Sequence, residues 1–197
     1  MTHPLMLIVA LAALSPGAAQ AVPILYTATL SGSAEAPPNA SPGTGNARVT
    51  YDPALHTLFV DVDFADLTAP TTTAHIHCCT GISGDGTAGV ATTVPTFPGF
   101  PAGVTTGTYT QTFDLTEASS FNPAFINLNG GTPALAESTL AAGLASGQAY
   151  FNIHTTAFPA GEIRGFLVAA VPEPATFALL GLGFGGLLAT RRKRRLH

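Results

Sequence analysis

A chain of 197 residues is long enough for one domain of about 150 residues with appended segments at its ends. It is poor in charge, with 9% charged residues, and rich in turn formers, with 21 Gly and 16 Pro, which favours short strands joined by tight turns over helices. Between residues 22 and 170 two arginines stand against ten carboxylates, a net charge of −8, and this argues against nucleic acid as a partner because phosphate binding requires a basic surface.

The first 21 residues have the pattern of a secretory signal peptide. An apolar run from Leu5 to Leu14 is followed by a Pro-Gly break and by the small-residue pattern Ala19-Gln20-Ala21, which signal peptidase favours. The sequence therefore predicts cleavage after Ala21. It divides the chain into a signal peptide at 1–21, a β domain at 22–170 and a C-terminal segment at 171–197.

The body between these ends reads as a series of short strands. Segments rich in β-branched and aromatic residues, bounded by Gly and Pro, predict strands at 24–32, 47–52, 57–67, 72–79, 107–115, 148–155 and 161–169. In the third of these, apolar residues alternate with Asp61 and Asp63, so these two carboxylates are expected to face water.

Two helical insertions are expected among the strands. A helix at 132–147 has Thr132 as its N-cap, Pro133 in its first turn and Gly147 as its stop, and a shorter one is predicted within 116–125. The predicted fold class is all-β, a β-sandwich or β-barrel of about seven to eight strands with one or two short helical insertions.

The stretch "AHIHCCTG" at 74–81 concentrates the residues that could carry chemistry. On a strand, His75 and His77 point to the same face about 6.5–7 Å apart, and His154 in "YFNIHT" is a candidate third ligand. Three neutral imidazoles suit copper or zinc, with Glu162 or Asp85 supplying an oxygen or a bond that orients a ring. The alternative is a polar cluster whose rings hydrogen-bond to the backbone.

The adjacent Cys78 and Cys79 leave four possibilities open. An exported protein meets an oxidising compartment, and this chain has no third cysteine. The pair can form a vicinal disulfide, bond to another chain, remain as thiols with a packing role, or bind a soft ion such as Cu(I) as alternative metal ligands. Because neighbouring side chains on a strand diverge, an adjacent disulfide requires the backbone to turn here, as the following Thr80-Gly81 suggests.

Several segments of the body resemble the chordin-type CHRD domain over residues 25–168. They are "YTATLSGSAEAPP", "AHIH", "GTAGVATTVPTF", "GQAYFNIHT" and "FPAGEIRGFL", in this order. The resemblance implies an extracellular β-rich domain and no established reaction. The family's signature positions are occupied here by Glu35, His75, His77, Asn152, His154, Glu162 and Arg164.

The C-terminus resembles the PEP-CTERM sorting signal of Gram-negative bacteria. It combines the motif Pro172-Glu173-Pro174, an uncharged stretch at 175–190 that predicts a transmembrane helix, and a basic end at 191–195. The resemblance implies recognition by an exosortase and removal of the tail. It further implies a membrane-anchored precursor that is delivered to the cell surface or to an exopolysaccharide matrix.

These observations predict an exported bacterial surface or extracellular-matrix protein. Since the sequence contains no catalytic serine pattern, P-loop or zinc-protease motif, we expect a non-enzymatic binding or structural domain. Its expected partners are the exosortase, the membrane before processing, and exopolysaccharide or surface proteins. The alternative is an extracytoplasmic copper- or zinc-binding protein that uses the three histidines.

Overall fold

The computed structural model describes residues 21–170, which form a curled antiparallel β-sheet with two short helices. The all-β prediction is therefore confirmed. The strands, in chain order, are β1 (Ile24–Ser31), β2 (Thr44–Asp52), β3 (Thr57–Ala65), β4 (Thr71–His77), β5 (Gly107–Asp114), β6 (Tyr150–Thr155), β7 (Ile163–Phe166) and β8 (Val168–Ala169). The helices are α1 (Pro123–Leu128) and α2 (Pro133–Ala145).

The sheet runs in the order β4-β6-β7-β1-β2-β3-β5, and β8 adds a short pairing to β1. One face of the sheet holds the core, because buried apolar residues recur at alternate positions of β1, β2, β3 and β4. Phe97, from the long loop after β4, lies in this core and packs against Phe113 of β5 and Phe151 of β6, with ring centroids 5.2 and 5.8 Å apart. An aromatic side chain from a loop thus bridges strands from both ends of the sheet order.

Several element boundaries differ from the sequence-based ones. The β2 strand begins at Thr44, three residues before the predicted start at 47, because it pairs residue for residue with β1 and β3. The predicted strand at 161–169 is divided into β7 and β8 at Leu167, which is fully buried. Within 116–125 the chain forms a 3₁₀ turn, Ala118–Ser120, and then α1 begins at Pro123 with Asn122 as its N-cap.

Helix α2 lies within the predicted range 132–147, with Thr132 as its N-cap, and it is bonded to the β2–β3 hairpin. Thr132 caps it by accepting a hydrogen bond from the Leu135 backbone N–H. On its buried side the Glu137 carboxylate accepts hydrogen bonds from the Tyr51 hydroxyl at 2.9 Å and from His56 Nδ1 at 2.9 Å. These bonds fix the helix against one end of the sheet.

Some predictions concern segments that lie outside the described residues. The signal peptide, the Pro172-Glu173-Pro174 motif and the transmembrane helix at 175–190 lie wholly or almost wholly outside residues 21–170. Within the described residues, no helix has the length and hydropathy needed to span a membrane.

Candidate metal centre

The strand pairing brings the three histidines together on the face of the sheet that is opposite the core. Strands β4 and β6 are antiparallel neighbours, with His77 opposite Tyr150, His75 opposite Asn152, and Thr73 opposite His154. Because Ala74 and Ile76 occupy the core side of β4, the histidines lie on the other side. The ring centroids of His75, His77 and His154 are 5.6–5.9 Å from one another.

Backbone carbonyls from surrounding loops hold one nitrogen of each ring. His75 Nε2 is 2.7 Å from the Pro95 oxygen, and His77 Nδ1 is 2.9 Å from the Ala88 oxygen. His154 Nδ1 is likewise 2.9 Å from the Pro159 oxygen. Since a carbonyl oxygen only accepts hydrogen bonds, each of these nitrogens carries the proton. A carbonyl that fixes the tautomer in this way is the usual outer partner of a metal-binding histidine.

The opposite nitrogens are buried and have no hydrogen-bond partner. They are Nδ1 of His75 and Nε2 of both His77 and His154, and a ligand nitrogen from each ring lies within 4.8 Å of the other two. In the neutral tautomers fixed by the carbonyls, each of these nitrogens has a free lone pair. The three lone pairs therefore form a convergent donor set.

One ion bound at zinc–nitrogen distances of about 2.0–2.1 Å holds two tetrahedral ligands roughly 3.4 Å apart. The widest separation in the cluster, within 4.8 Å, therefore has to shorten by about 1 Å or somewhat more on binding. Binding of one ion by all three rings therefore requires the rings to move toward one another.

The electrostatics favour uncharged rings. Burial lowers the pKa of His75 and of His77 to about 4, against the opposing effect of the carbonyls. The neighbouring His154 lowers both values further, and Arg164 contributes for His77. Burial also lowers the pKa of His154, although the Pro159 carbonyl opposes it. All three rings are therefore neutral at pH 7, which is the form that binds a metal ion.

Tyr150 and Arg164 support one side of the cluster. The ring of Tyr150 stacks on His77 with centroids 4.8 Å apart and an angle of 7°, and the Arg164 guanidinium lies 4.8 Å from the centroid of the Tyr150 ring. Tyr150 was not among the predicted site residues, although the period of two in "YFNIH" places it on the same face as His154. The three loop carbonyls had no signal in the sequence, because any residue type supplies a carbonyl.

The family's signature positions separate into two groups. Asn152 lies opposite His75 on one side and Arg164 on the other, and Glu35 Oε2 is 3.8 Å from Arg164 Nε. These three residues thus continue the histidine cluster across the sheet.

Glu162 lies apart from this group and has a structural role. It is fully buried, and its carboxylate accepts hydrogen bonds from Ser41, Thr155 and the Thr68 backbone N–H. Asp85, the other predicted oxygen donor, is exposed in a turn where it accepts a bond from the Gly86 N–H.

The two cysteines form a vicinal disulfide on the other side of the sheet. Strand β4 ends at His77, and the Cys78–Cys79 bond follows directly. A Cβ placed on Gly143 of α2 would overlap both sulfurs, so the disulfide packs directly on the helix. In the structure the predicted metal-ligand cluster consists of the three histidines, and the sulfurs are engaged with each other and with α2.

Comparison with known proteins identifies two segments. Residues 26–167 match the model of the CHRD domain, and residues 170–195 match the PEP-CTERM protein-sorting motif. The curated proteins gave no match to the chain, and the solved structures gave none either. The sorting motif marks an exported, membrane-anchored precursor that an exosortase-type enzyme processes at the cell surface. Since the first match covers well over half of the sequence, the chain belongs to the CHRD domain family.

Proposed function

We propose that this exported CHRD domain is a metal-binding module, in which His75, His77 and His154 hold one zinc or copper ion. The observation that carries the proposal is the orientation of the rings. Each ring gives its proton to a backbone carbonyl, its other nitrogen is buried without a partner, and a ligand nitrogen of each ring lies within 4.8 Å of the other two. Imidazole nitrogen suits both zinc and copper, and copper binds more tightly than zinc when both are available.

An architectural role for the histidines explains the arrangement less well. A buried polar atom that has no partner costs about 1–3 kcal/mol, and this cluster contains three such nitrogens side by side. A cluster that served only the fold would gain stability from partners at both nitrogens of each ring. A cation supplies the missing interaction for all three at once.

The test is the metal content of the full chain, purified in detergent and equilibrated with Zn²⁺ or Cu²⁺. We expect one equivalent of metal per chain in the wild-type protein. In the His75→Asn plus His77→Asn variant we expect the metal affinity to fall at least about a hundredfold, because removal of a residue that only orients a ligand already lowers the affinity 10–100-fold. His56→Asn is the matched control, since His56 bonds to Glu137 outside the cluster. Substoichiometric metal in the wild-type protein, or equal affinity in the double variant, would contradict the proposal.

We further propose that the domain acts as a non-enzymatic binding module at the cell surface or in the extracellular matrix of a Gram-negative bacterium. One surface supports a second role there, in contact with exopolysaccharide or surface proteins. Across β1, β2, β3 and β5, the exposed or half-exposed side chains of Thr27, Arg48, Asp61 and Thr110 stand side by side in register. The side chains in this row can form hydrogen bonds with the hydroxyl groups of a polysaccharide.

Cosedimentation with the isolated exopolysaccharide tests this second role. We expect Thr27→Lys plus Thr110→Lys to weaken the binding, and the His75→Asn plus His77→Asn protein to retain it. Failure of the wild-type protein to cosediment would remove the polysaccharide as its partner without affecting the metal proposal.

A further inference from the structure

The region around the histidines contains more unpartnered polar atoms than three nitrogens would use to bind a metal ion. In the part of the chain that the structure describes, five buried side-chain polar atoms have no hydrogen-bond partner. Three are the histidine nitrogens, and the other two are Glu35 Oε1 and Asn152 Oδ1. When the carboxyl group is ionised, all five are acceptors. A metal ion bound by the nitrogens leaves two oxygens that still require donors.

The two oxygens are neighbours of each other and of the cluster. Asn152 is directly opposite His75 on the adjacent strand, a position at which Cβ atoms lie about 4.5–5.5 Å apart. A Cβ placed on Gly161 would lie 2.6 Å from Glu35 Oε1 and 2.7 and 2.8 Å from Nδ2 and Oδ1 of Asn152, so the carboxylate and the amide group meet at one point. Both residues are more than nine-tenths buried, with 7% and 3% of their surface exposed.

A cleft connects this point with the solvent. It has a volume of about 310 Å³ and is lined by segments 35–39 and 157–161, with Glu35 and Gly161 among its walls. Pro159, whose carbonyl holds His154, also lines it. A small molecule that enters the cleft therefore lies against Glu35 and Gly161, next to the position where the two acceptors meet.

We propose that Glu35 and Asn152 accept hydrogen bonds from a protic ligand on the metal ion, which makes the centre an open one with an exchangeable fourth position. The ligand is water in the resting protein, and neutral hydroxyl-bearing molecules small enough for the cleft can replace it. Small anions are disfavoured, because the Glu35 carboxylate repels them. This inference rests on the proposed metal-binding function. Three protein ligands with a water in the fourth position distinguish open zinc sites from closed structural ones.

The test uses the copper-loaded full chain at pH 8. Burial raises the pKa of Glu35 to about 7, against the effect of Arg164, so the carboxylate predominates at this pH. The relaxation rate of solvent water protons reports an exchangeable water on Cu²⁺, with the zinc-loaded protein as diamagnetic baseline. The azide-to-copper charge-transfer band then reports the affinity of the open position for an anion.

We expect the relaxation rate to exceed the baseline, and we expect Glu35→Gln to raise the azide affinity about tenfold, because it removes a like charge close to the ion. Glu137→Gln is the matched control, since Glu137 is equally buried and bonds to Tyr51 and His56 instead. It should leave the azide affinity unchanged.

Copper content is measured first, so the two proposals can be separated. Stoichiometric copper with a relaxation rate at the baseline would overturn the open position alone, and this result requires no variant. Equal azide affinity in Glu35→Gln and wild type, or none in either, would overturn the role of the carboxylate. Failure to bind copper would overturn the metal-binding function and this inference with it.

Discussion

Acidification should destabilise the metal-free domain through His75 and His77. Burial places the pKa of both rings at about 4, against an ordinary value of 6.5. Between these two pH values the unfolded chain binds protons that the folded chain excludes, so the free energy of unfolding falls as the pH falls. From pH 7 to pH 5 each ring contributes a loss of about 2 kcal/mol, and the pair a loss of about 3–4 kcal/mol. The lowered pKa of His154 acts in the same direction.

Glu35 opposes this effect and has to be separated from it. Its pKa is raised to about 7 from an ordinary 4.5, so the folded state binds the proton more tightly. Its contribution is full below pH 4.5 and is lost as the pH rises through 7, which makes it stabilising by about 2 kcal/mol at pH 5 relative to pH 7. The net change in the wild-type protein is therefore smaller than the histidine term alone.

The assay is urea unfolding at pH 5, 6 and 7 in the presence of a chelator, followed by circular dichroism. The wild-type protein is compared with His75→Gln plus His77→Gln, which removes the two titrating rings. We expect the variant to lose the histidine term, so that its stability at pH 5 relative to pH 7 exceeds that of the wild type by about 3–4 kcal/mol. Parallel pH profiles for the two proteins would refute the burial of neutral rings.

Two further variants test the packing around the site. Gly143→Ala would ordinarily stabilise a helix by about 1 kcal/mol, but here the new methyl group overlaps both disulfide sulfurs, and overpacking costs about 1–3 kcal/mol. We therefore expect net destabilisation in thermal unfolding, and we expect it to be reversed when Cys78→Ala and Cys79→Ala are added. A Gly143→Ala protein that is more stable than the wild type would contradict the packing. Glu162→Gln places an amide N–H against donors such as the Thr155 hydroxyl. We expect it to lower the free energy of unfolding by about 1–3 kcal/mol, as measured with urea. A change below about 0.5 kcal/mol, which is typical of surface positions, would show that the carboxylate is dispensable.

The fold class and the shared face of His75 and His77 follow from the period of two along each strand. The same alternation correctly predicts that Asp61 and Asp63 face water, where both lie close to Arg48. The approach of His154 depends instead on the pairing of β4 with β6, two strands more than 70 residues apart in the chain. Local periodicity contains no information about such a pairing.

The site's other components were hidden for different reasons. The carbonyls of Ala88, Pro95 and Pro159 depend on the loop paths and on no side chain. The vicinal disulfide was one of four possibilities for the cysteines, because Thr80-Gly81 suggests a turn but the alternating apolar pattern does not mark the end of β4 at His77. Where backbone conformation determines the chemistry, side-chain patterns are insufficient.

The direction of the hydrogen bonds favours the proposed metal site over a purely architectural cluster. Residues that are buried for the sake of the fold are usually satisfied, as Glu162 is by Ser41, Thr68 and Thr155. Each of the three histidines instead has one nitrogen that bonds to a carbonyl and one buried nitrogen without a partner. Such an arrangement lowers the stability of the metal-free domain. Local arrangements that reduce stability are characteristic of functional sites. The same argument extends to Glu35 and Asn152, which each have an unsatisfied oxygen. Asn152 is the strand partner of His75, and the two oxygens are consistent with the proposed ligand that donates hydrogen bonds.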